Sequence, residues 1–309
     1  MISQRDTSIF SSAHAGQYNR DARKRVPARN RVTSMQNYFL HIPKTGGTTL
    51  TAFLDSHFRH DEIFPHQLWD RLLADTNPDF SRYRLFRGHF GYGFKRLFPQ
   101  RPATLTMLRN PIERTISFYH HMCVDKRHNV PVPPSGLEGL IDNPETRPLF
   151  SNNQTRHLAI ALLPSRPNGS EYWHEADPLF LRPHSSDGAL LDLAKSHLME
   201  CTVFGMLEHM DDSIALICDA MSWPVAPSQH LMVFANRPPT RSFSPALLDR
   251  IAECNQLDMQ LLDFAKSIFA ERIAALKWRG TCDRLAEQAG WLKKIKMPRR
   301  PRSSITSAA

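Results

Sequence analysis

The chain has 309 residues, of which 41% are hydrophobic, 22% charged and 9% aromatic, a balance that excludes collagen-like, disulfide-stapled and wholly disordered classes. Its net charge of +9 is unevenly placed: residues 1–36 hold seven basic and two acidic side chains, residues 277–309 hold nine and two, and the stretch between is slightly acidic with 23 and 26. A nucleic-acid-binding reading of the basic character therefore rests on the two ends alone, where clusters such as Arg23-Lys24-Arg25 and Arg299-Arg300-Pro301-Arg302 are ordinarily solvated.

Residues 1–36, rich in Ser, Arg and Asn, are expected to form a disordered basic leader. Order is expected from Asn37 to Ile42, a short β-type run stopped by Pro43 and the Gly46-Gly47 pair, with a helix over Thr48 to Phe58. A second apolar run, Tyr83 to Phe86, ends in Gly88-His89-Phe90-Gly91-Tyr92-Gly93, and a third, Ala103 to Leu108, ends in Arg109-Asn110-Pro111. Pro111 suits the first turn of a helix predicted over Ile112 to Val124. Residues 129–146 read as a loop around one short helix at most, and 164–186 as a second long loop of the kind that often lines a binding face. Helical patterns follow over 150–163, 187–199, 208–222 and 244–276, with a β-type run at Thr202-Val203-Phe204. This alternation predicts an α/β fold: three layers, with helices on both faces of a central, mainly parallel sheet. The organisation expected is a folded domain over 37–276, with a basic tail over 277–309.

Cys123, Cys201, Cys218, Cys254 and Cys282 are odd in number, far apart and without a C-x-x-C pair, so neither a disulfide framework nor a zinc site is indicated and no metal is expected. No apolar stretch in the leader resembles a signal peptide, and none in the chain reaches the ~18 residues of a membrane span. A cytoplasmic location is expected, with peripheral contacts to anionic surfaces confined to the basic ends.

The segment His41-Ile42-Pro43-Lys44-Thr45-Gly46-Gly47-Thr48-Thr49-Leu50 places two glycines where a strand feeds a helix N-terminus. Backbone N–H groups there form an anion cradle, to which Lys44 adds charge and Thr45, Thr48 and Thr49 add hydroxyls. Lys44 precedes the glycines, whereas the Lys of a Walker A loop follows them in G-x-x-x-x-G-K-[ST], so an ATP kinase of that type is disfavoured. Glycine is scarce, with 13 in all, and five of these fall at Gly46, Gly47, Gly88, Gly91 and Gly93 beside charged or imidazole groups.

Lys44-Thr45-Gly46-Gly47-Thr48-Thr49 resembles the 5′-phosphosulfate loop of sulfotransferases that use 3′-phosphoadenosine 5′-phosphosulfate (PAPS). The preceding His41-Ile42-Pro43 is similar to the variant in carbohydrate sulfotransferases related to the heparan sulfate 2-O and 6-O enzymes. Arg109-Asn110-Pro111-Ile112-Glu113-Arg114-Thr115-Ile116-Ser117-Phe118-Tyr119 resembles the family's 3′-phosphate segment, R-[DN]-P-x-x-R-x-x-S-x-Y, with Asn110 where Asp is more usual. The resemblance implies that Lys44, Thr45, Gly46, Gly47, Thr48 and Thr49 bind the 5′ end of the donor and that Arg109 and Ser117 hold its 3′-phosphate. It also implies that His89, in Arg87-Gly88-His89, is the base that deprotonates the acceptor hydroxyl, a role an imidazole can fill near neutral pH. For Arg114 a ligand role and a surface or ion-pair role stay open. His120 and His121 diverge by about 100° on a helix and make no metal pair.

Three further segments resemble the same family: Asn152-Asn153-Gln154-Thr155-Arg156 its N-x-Q-T-R element, Phe204-Gly205-Met206-Leu207-Glu208 its F-G-L-x-E element, and Asn255 to Ala265 its N-x-x-D-x-x-L-Y-x-x-A helix, with Leu262 in place of Tyr. Gln154, Thr155 and Arg156 are either ligand contacts or polar support around a helix N-cap at Asn152. The resemblance implies a P-loop-like form of the α/β fold, and the function implied is transfer of a sulfuryl group from PAPS to a hydroxyl, most often of a carbohydrate. A nucleotide-binding protein or kinase of P-loop-like fold that transfers no sulfuryl group is the alternative.

Overall fold

The computed structural model describes residues 35–75, 78–124, 132–159, 186–224 and 239–294, with the backbone alone over 281–294. Four short strands, β1 (Asn37–Leu40), β2 (Leu85–Gly88), β3 (Ala103–Leu108) and β4 (Val203–Met206), form one sheet in the order β2-β1-β3-β4, with every neighbouring pair parallel. All four residues of β1 and all six of β3 are buried, as befits central strands covered on both faces.

The helices are α1 (Gly47–Asp55), α2 (Trp69–Ala74), α3 (Pro111–Val124), α4 (Leu137–Asp142), α5 (Arg147–Phe150), α6 (Asn153–Ala159), α7 (Asp187–Glu200), α8 (Met210–Met221), α9 (Pro245–Cys254) and α10 (Gln256–Lys294). The α/β class and the parallel sheet match the expectation from sequence. An aromatic cluster of Tyr38, Phe64, Phe80, Phe86, Phe94 and Phe98 packs around β1 and β2. A second core joins Ile116 and Phe118 of α3 to Leu140, Phe150 and Ile251, anchoring the helix that carries the Arg109 segment.

The expected single helix over 244–276 is two. Ser244 caps α9 through its Oγ, which accepts from Leu247 N at 3.2 Å, and Pro245 occupies its first turn. The chain then breaks at Asn255, buried, with its Nδ2 donating to Ile251 O at 2.9 Å. The apolar spacing runs through this point unbroken, so only the buried amide marks it. Helix α10 crosses residue 276 and ends at Lys294. Gln36, expected in the leader, is tied to the body through Nε2, which donates to Phe80 O at 2.7 Å and Tyr83 O at 3.0 Å. Residues 1–34 of the leader, residues 164–185 of the loop expected over 164–186, and the tail beyond residue 294 lie outside the described residues. Among the described residues no helix is long and apolar enough to cross a membrane, and Cys201, Cys218 and Cys254 form no disulfide.

Successive connections leave β1 toward β2 on one side and then return to β3 on the other. The carboxyl ends of β1 and β3 therefore flank a topological switch point, the place where parallel α/β sheets bind ligands.

Candidate active site

The turn after β1 is built for close backbone approach. Lys44 (φ 69°) and Gly46 (φ 89°) both lie in the left-handed region, which costs a non-glycine residue such as Lys44 about 1–2 kcal/mol. Gly46 is the N-cap of α1, so the first N–H groups of that helix face the crevice without intrahelical partners. A Cβ on Gly47 would lie 1.6 Å from His41 Nε2. That ring cannot easily yield, because it stacks on Phe39 at 5.1 Å and lies 4.3 Å from the His89 ring. Thr45 is buried and its hydroxyl donates to Ile42 O at 2.9 Å, so its proton is engaged inside the loop. Thr48 is half-buried and Thr49 buried.

His89 follows β2 directly. Its backbone N–H donates to Gln67 O at 2.8 Å, an approach so close that a Cβ on Gly88 would stand 2.4 Å from the same oxygen. The His89 side chain is half-buried, and its Nδ1 lies 2.7 Å from His41 O at the end of β1. A carbonyl can only accept, so Nδ1 carries the proton and Nε2 keeps its lone pair. Burial pulls the His89 pKa down to about 4, with the nearby Lys44 charge lowering it further and the His41 carbonyl opposing the fall. His41 is likewise lowered, by burial first and then by His89, His157, Lys44 and Arg87. His157 on α6, not singled out in the sequence, falls to about 3 by burial, with His89, Arg114 and Arg156 adding to the fall.

Arg109 follows β3. Its guanidinium donates to Lys44 O at 3.1 Å and pairs with Glu113 at 3.4 Å, so the two predicted donor segments touch. Its main chain is clasped at both polar atoms by buried Gln154: Arg109 N–H donates to Gln154 Oε1 and Gln154 Nε2–H donates to Arg109 O, each at 2.8 Å. Asn110 Oδ1 accepts from the Ile112 and Glu113 N–H groups at 3.0 and 3.2 Å, capping α3, while its own N–H donates to Glu208 Oε1 at 2.8 Å. Ser117 lies two turns into α3 and is buried.

Gln154 is held in turn by reciprocal caps. Asp258 of α10 accepts from the backbone N–H groups of Gln154 and Thr155 at 3.0 and 2.7 Å and from the Thr155 hydroxyl at 2.7 Å. Asn152, itself left-handed at φ 48°, accepts from the Leu257 and Asp258 N–H groups at 3.0 and 3.3 Å. Asn255 Oδ1 accepts from Asn152 N at 2.9 Å. The N-x-Q-T-R and N-x-x-D segments thus form one interlock that holds the Arg109 main chain, in which Gln154 and Thr155 give polar support. Arg156 donates to Pro148 O at 3.1 Å. Among the described residues no group of three or more His, Cys, Asp or Glu could hold a metal ion.

Fold and site together define a parallel α/β domain with a glycine turn opening a helix and an arginine at adjoining strand ends. No protein-family model matches the chain. It is 25% identical over 291 residues to heparan-sulfate 6-O-sulfotransferase 3-B of Danio rerio, across 78% of this chain and 65% of that protein. It is 33% identical over 84 residues to protein-tyrosine sulfotransferase of Arabidopsis thaliana, across 26% of this chain and 16% of that protein. A solved sulfotransferase of Alicyclobacillus acidocaldarius aligns with 75% of this chain and 95% of its own at 14% identity, with a TM-score of 0.42. The chain is related in sequence to the sulfotransferases, and it spans just under two thirds of the zebrafish protein and about a sixth of the Arabidopsis one.

Proposed function

We propose that the protein transfers a sulfuryl group from PAPS to a hydroxyl of a carbohydrate acceptor, with His89 as general base and Lys44 as the cation of the donor site. The observation that carries this reading is the His89 imidazole at the end of β2, fixed by the His41 carbonyl with Nε2 unprotonated, beside a loop whose Lys44 charge it feels. Carbohydrate is chosen over tyrosine as acceptor because the likeness to the heparan-sulfate enzyme runs over most of the chain and that to the tyrosine enzyme over a quarter.

The residues suit such a donor. The Gly47 Cα lies bare toward the His41 ring, the α1 N-terminus supplies N–H donors, and Arg109 stands at the next strand end, so two anionic groups on one nucleotide have separate partners. PAPS, when bound, supplies an electrophilic sulfur and a phosphate leaving group. His89 Nε2 accepts the hydroxyl proton as the acceptor oxygen bonds to sulfur and the bridging oxygen departs with its electrons on the 5′-phosphate. Lys44 and the loop N–H groups neutralise that departing charge. Arg109, held by Gln154, fixes the remote end so that binding energy positions the reacting groups.

The test is thermal stabilisation by 3′-phosphoadenosine 5′-phosphate against ATP and adenosine 5′-phosphate, since a ligand bound only by the native state raises stability by mass action. Stabilisation by the 3′-phosphorylated nucleotide at concentrations where the other two do little is expected, followed by transfer from labelled PAPS to glycans in preference to tyrosine peptides. Equal stabilisation by all three overturns the donor assignment, and preference for tyrosine peptides overturns the acceptor.

A further inference from the structure

A second imidazole shares the setting of His89. His157 of α6 holds its Nδ1 2.8 Å from Asn153 O, and a carbonyl can only accept, so Nδ1 carries the proton and Nε2 keeps its lone pair, the same tautomer as His89. Both side chains are half-buried. Neither Nε2 has a hydrogen-bond partner among the described residues, and neither is sealed from solvent as the unbonded Arg114 nitrogens are. A short chain of contacts ties the two together. Tyr92, three residues beyond His89, stacks on His197 of α7 with ring centroids 3.6 Å apart and planes 8° from parallel, and His197 Nδ1 donates to the carbonyl of Leu158, the neighbour of His157, at 2.7 Å. Helix α6 reaches both flanks of the site. It packs against the turn Tyr92–Leu97 after β2, and its Gln154, three residues from His157 and so on the same face, clasps the Arg109 main chain after β3. Strand β1 lies between β2 and β3, so α6 crosses the end of β1, where the His41 carbonyl holds His89. In keeping with this, His89 adds to the effect of burial in keeping His157 unprotonated.

Two neutral imidazoles that offer only lone pairs select a molecule that brings donors to them. A hydroxyl can donate to either one. A carboxylate or a sulfate ester is acceptor-only near neutral pH and would set its oxygens against the Nε2 lone pairs. His89 takes the hydroxyl that reacts, which leaves His157 for a second hydroxyl on the same molecule. We propose that His157 reads the acceptor by taking a hydrogen bond from a free hydroxyl next to the one that is sulfated, so that the substrate is a polyhydroxyl sugar left uncharged at that neighbouring position. The assignment rests on the reading of His89 as base. His157 moves no proton in it: it positions the acceptor, and the cost of leaving its Nε2 and a hydroxyl unpaired sets the preference.

The experiment compares wild type, His157→Leu and His157→Gln in transfer from labelled PAPS to methyl hexopyranosides and to the same glycosides with one hydroxyl replaced by hydrogen, alongside calorimetric titration with 3′-phosphoadenosine 5′-phosphate. In wild type, loss of the neighbouring hydroxyl should lower kcat/KM about tenfold, the scale of one hydrogen bond. His157→Leu should cause the same loss on the parent glycoside, chiefly through KM, with no further loss on the deoxy glycoside and nucleotide affinity unchanged. His157→Gln, whose amide oxygen also accepts, should recover part. Equal slowing on both glycosides marks a ring that only packs and overturns the assignment, as does a His157→Leu protein that works like wild type. The ring nitrogens of the wild-type protein give a reading that needs neither turnover nor a folded variant: with 3′-phosphoadenosine 5′-phosphate and glycoside present, the Nε2 resonances of both His89 and His157 should move. Movement in His89 alone, or in neither while the 3′-phosphorylated nucleotide binds selectively, overturns the proposal. Wild type that shows no preference for that nucleotide over adenosine 5′-phosphate is the separate failure of the donor reading and removes the proposal with it.

Discussion

The cradle after β1 and the clamp around Arg109 do parallel work by opposite means. The cradle is backbone: glycines, a left-handed Lys44 and a helix N-terminus, within seven consecutive residues. The clamp is side chain: Gln154 reaches Arg109 across 45 positions, and Asp258 reaches Thr155 across 103. A backbone site tolerates no added atom and can lose many side-chain atoms. A side-chain site tolerates added bulk at its margins and fails when one amide is removed.

The largest effect expected separates chemistry at the end of β2 from binding in the cradle. His89→Ala should lower transfer by about 10²–10⁴-fold, as for loss of a positioned general base, and leave the affinity for 3′-phosphoadenosine 5′-phosphate nearly unchanged. Lys44→Ala should lower both. Nucleotide titration paired with transfer assays reads the split. If His89→Ala loses nucleotide affinity as badly as Lys44→Ala, then His89 serves the donor site and proton abstraction belongs elsewhere.

Next in size, Gly47→Ala should destabilise the protein by the upper part of the roughly 1–3 kcal/mol typical of overpacking, because the new methyl meets the held His41 ring. Adding His41→Ala removes the obstacle, and the double variant should unfold at higher urea than Gly47→Ala alone. No recovery would place the strain in the backbone and not in the imidazole. The clamp answers differently: Gln154→Ala removes two hydrogen bonds to the Arg109 main chain, a loss of about 1–3 kcal/mol. It should also cost about tenfold in preference for the 3′-phosphorylated nucleotide. A variant destabilised with full selectivity would show that Arg109 needs no such support.

The same contrast explains what could be read in advance. The strands, the turn after β1 and the helix after Pro111 depend on neighbours in the chain: Ala103–Leu108 falls where the local pattern puts it, Asn37–Leu40 and Pro111–Val124 lie within two residues of it, and Leu85–Gly88 is shifted two residues on from the run read over Tyr83 to Phe86. The reciprocal caps do not depend on neighbours. Asn152 and Asp258 each look like an ordinary cap or a ligand until the fold brings α6 against the start of α10. The break at Asn255 escaped for the same reason, its partner being Asn152. Thr45 shows the limit of local reading even inside the cradle: residue type marks a hydroxyl as available, and only the turn's geometry directs it to Ile42 O.

The smallest effect expected lies where the two regions meet, at three imidazoles. His41 belongs to the cradle, His89 to the end of β2 and His157 to the clamp helix α6, and each is pulled below the ordinary imidazole value chiefly by burial, with His89 and His157 adding to the fall at His41, His89 adding to it at His157, and Lys44 adding to it at His89. A folded-state pKa near 4 for His89 and near 3 for His157, against ~6.5 unfolded, means that the unfolded chain binds more protons between about pH 6.5 and 4. Stability therefore rises with pH across that window, is fully present above it, and is lost on acidification. Urea midpoints at pH 7.5, 6 and 5 should fall in that order, with a total loss of at least about 1 kcal/mol. His157→Gln, which removes one titrating member and keeps a polar side chain on α6, should flatten the decline. The same electrostatics reach catalysis: an anion on Lys44 cancels the charge that adds to the effect of burial on His89, so its pKa should be higher with donor bound. The acid limb of kcat should then lie at higher pH than that of kcat/KM for the donor, and both should lie below 6.5. An acid limb at 6.5 in both profiles would mean that the base titrates as an ordinary exposed imidazole, and the packing of His89 against His41 would have no part in setting it.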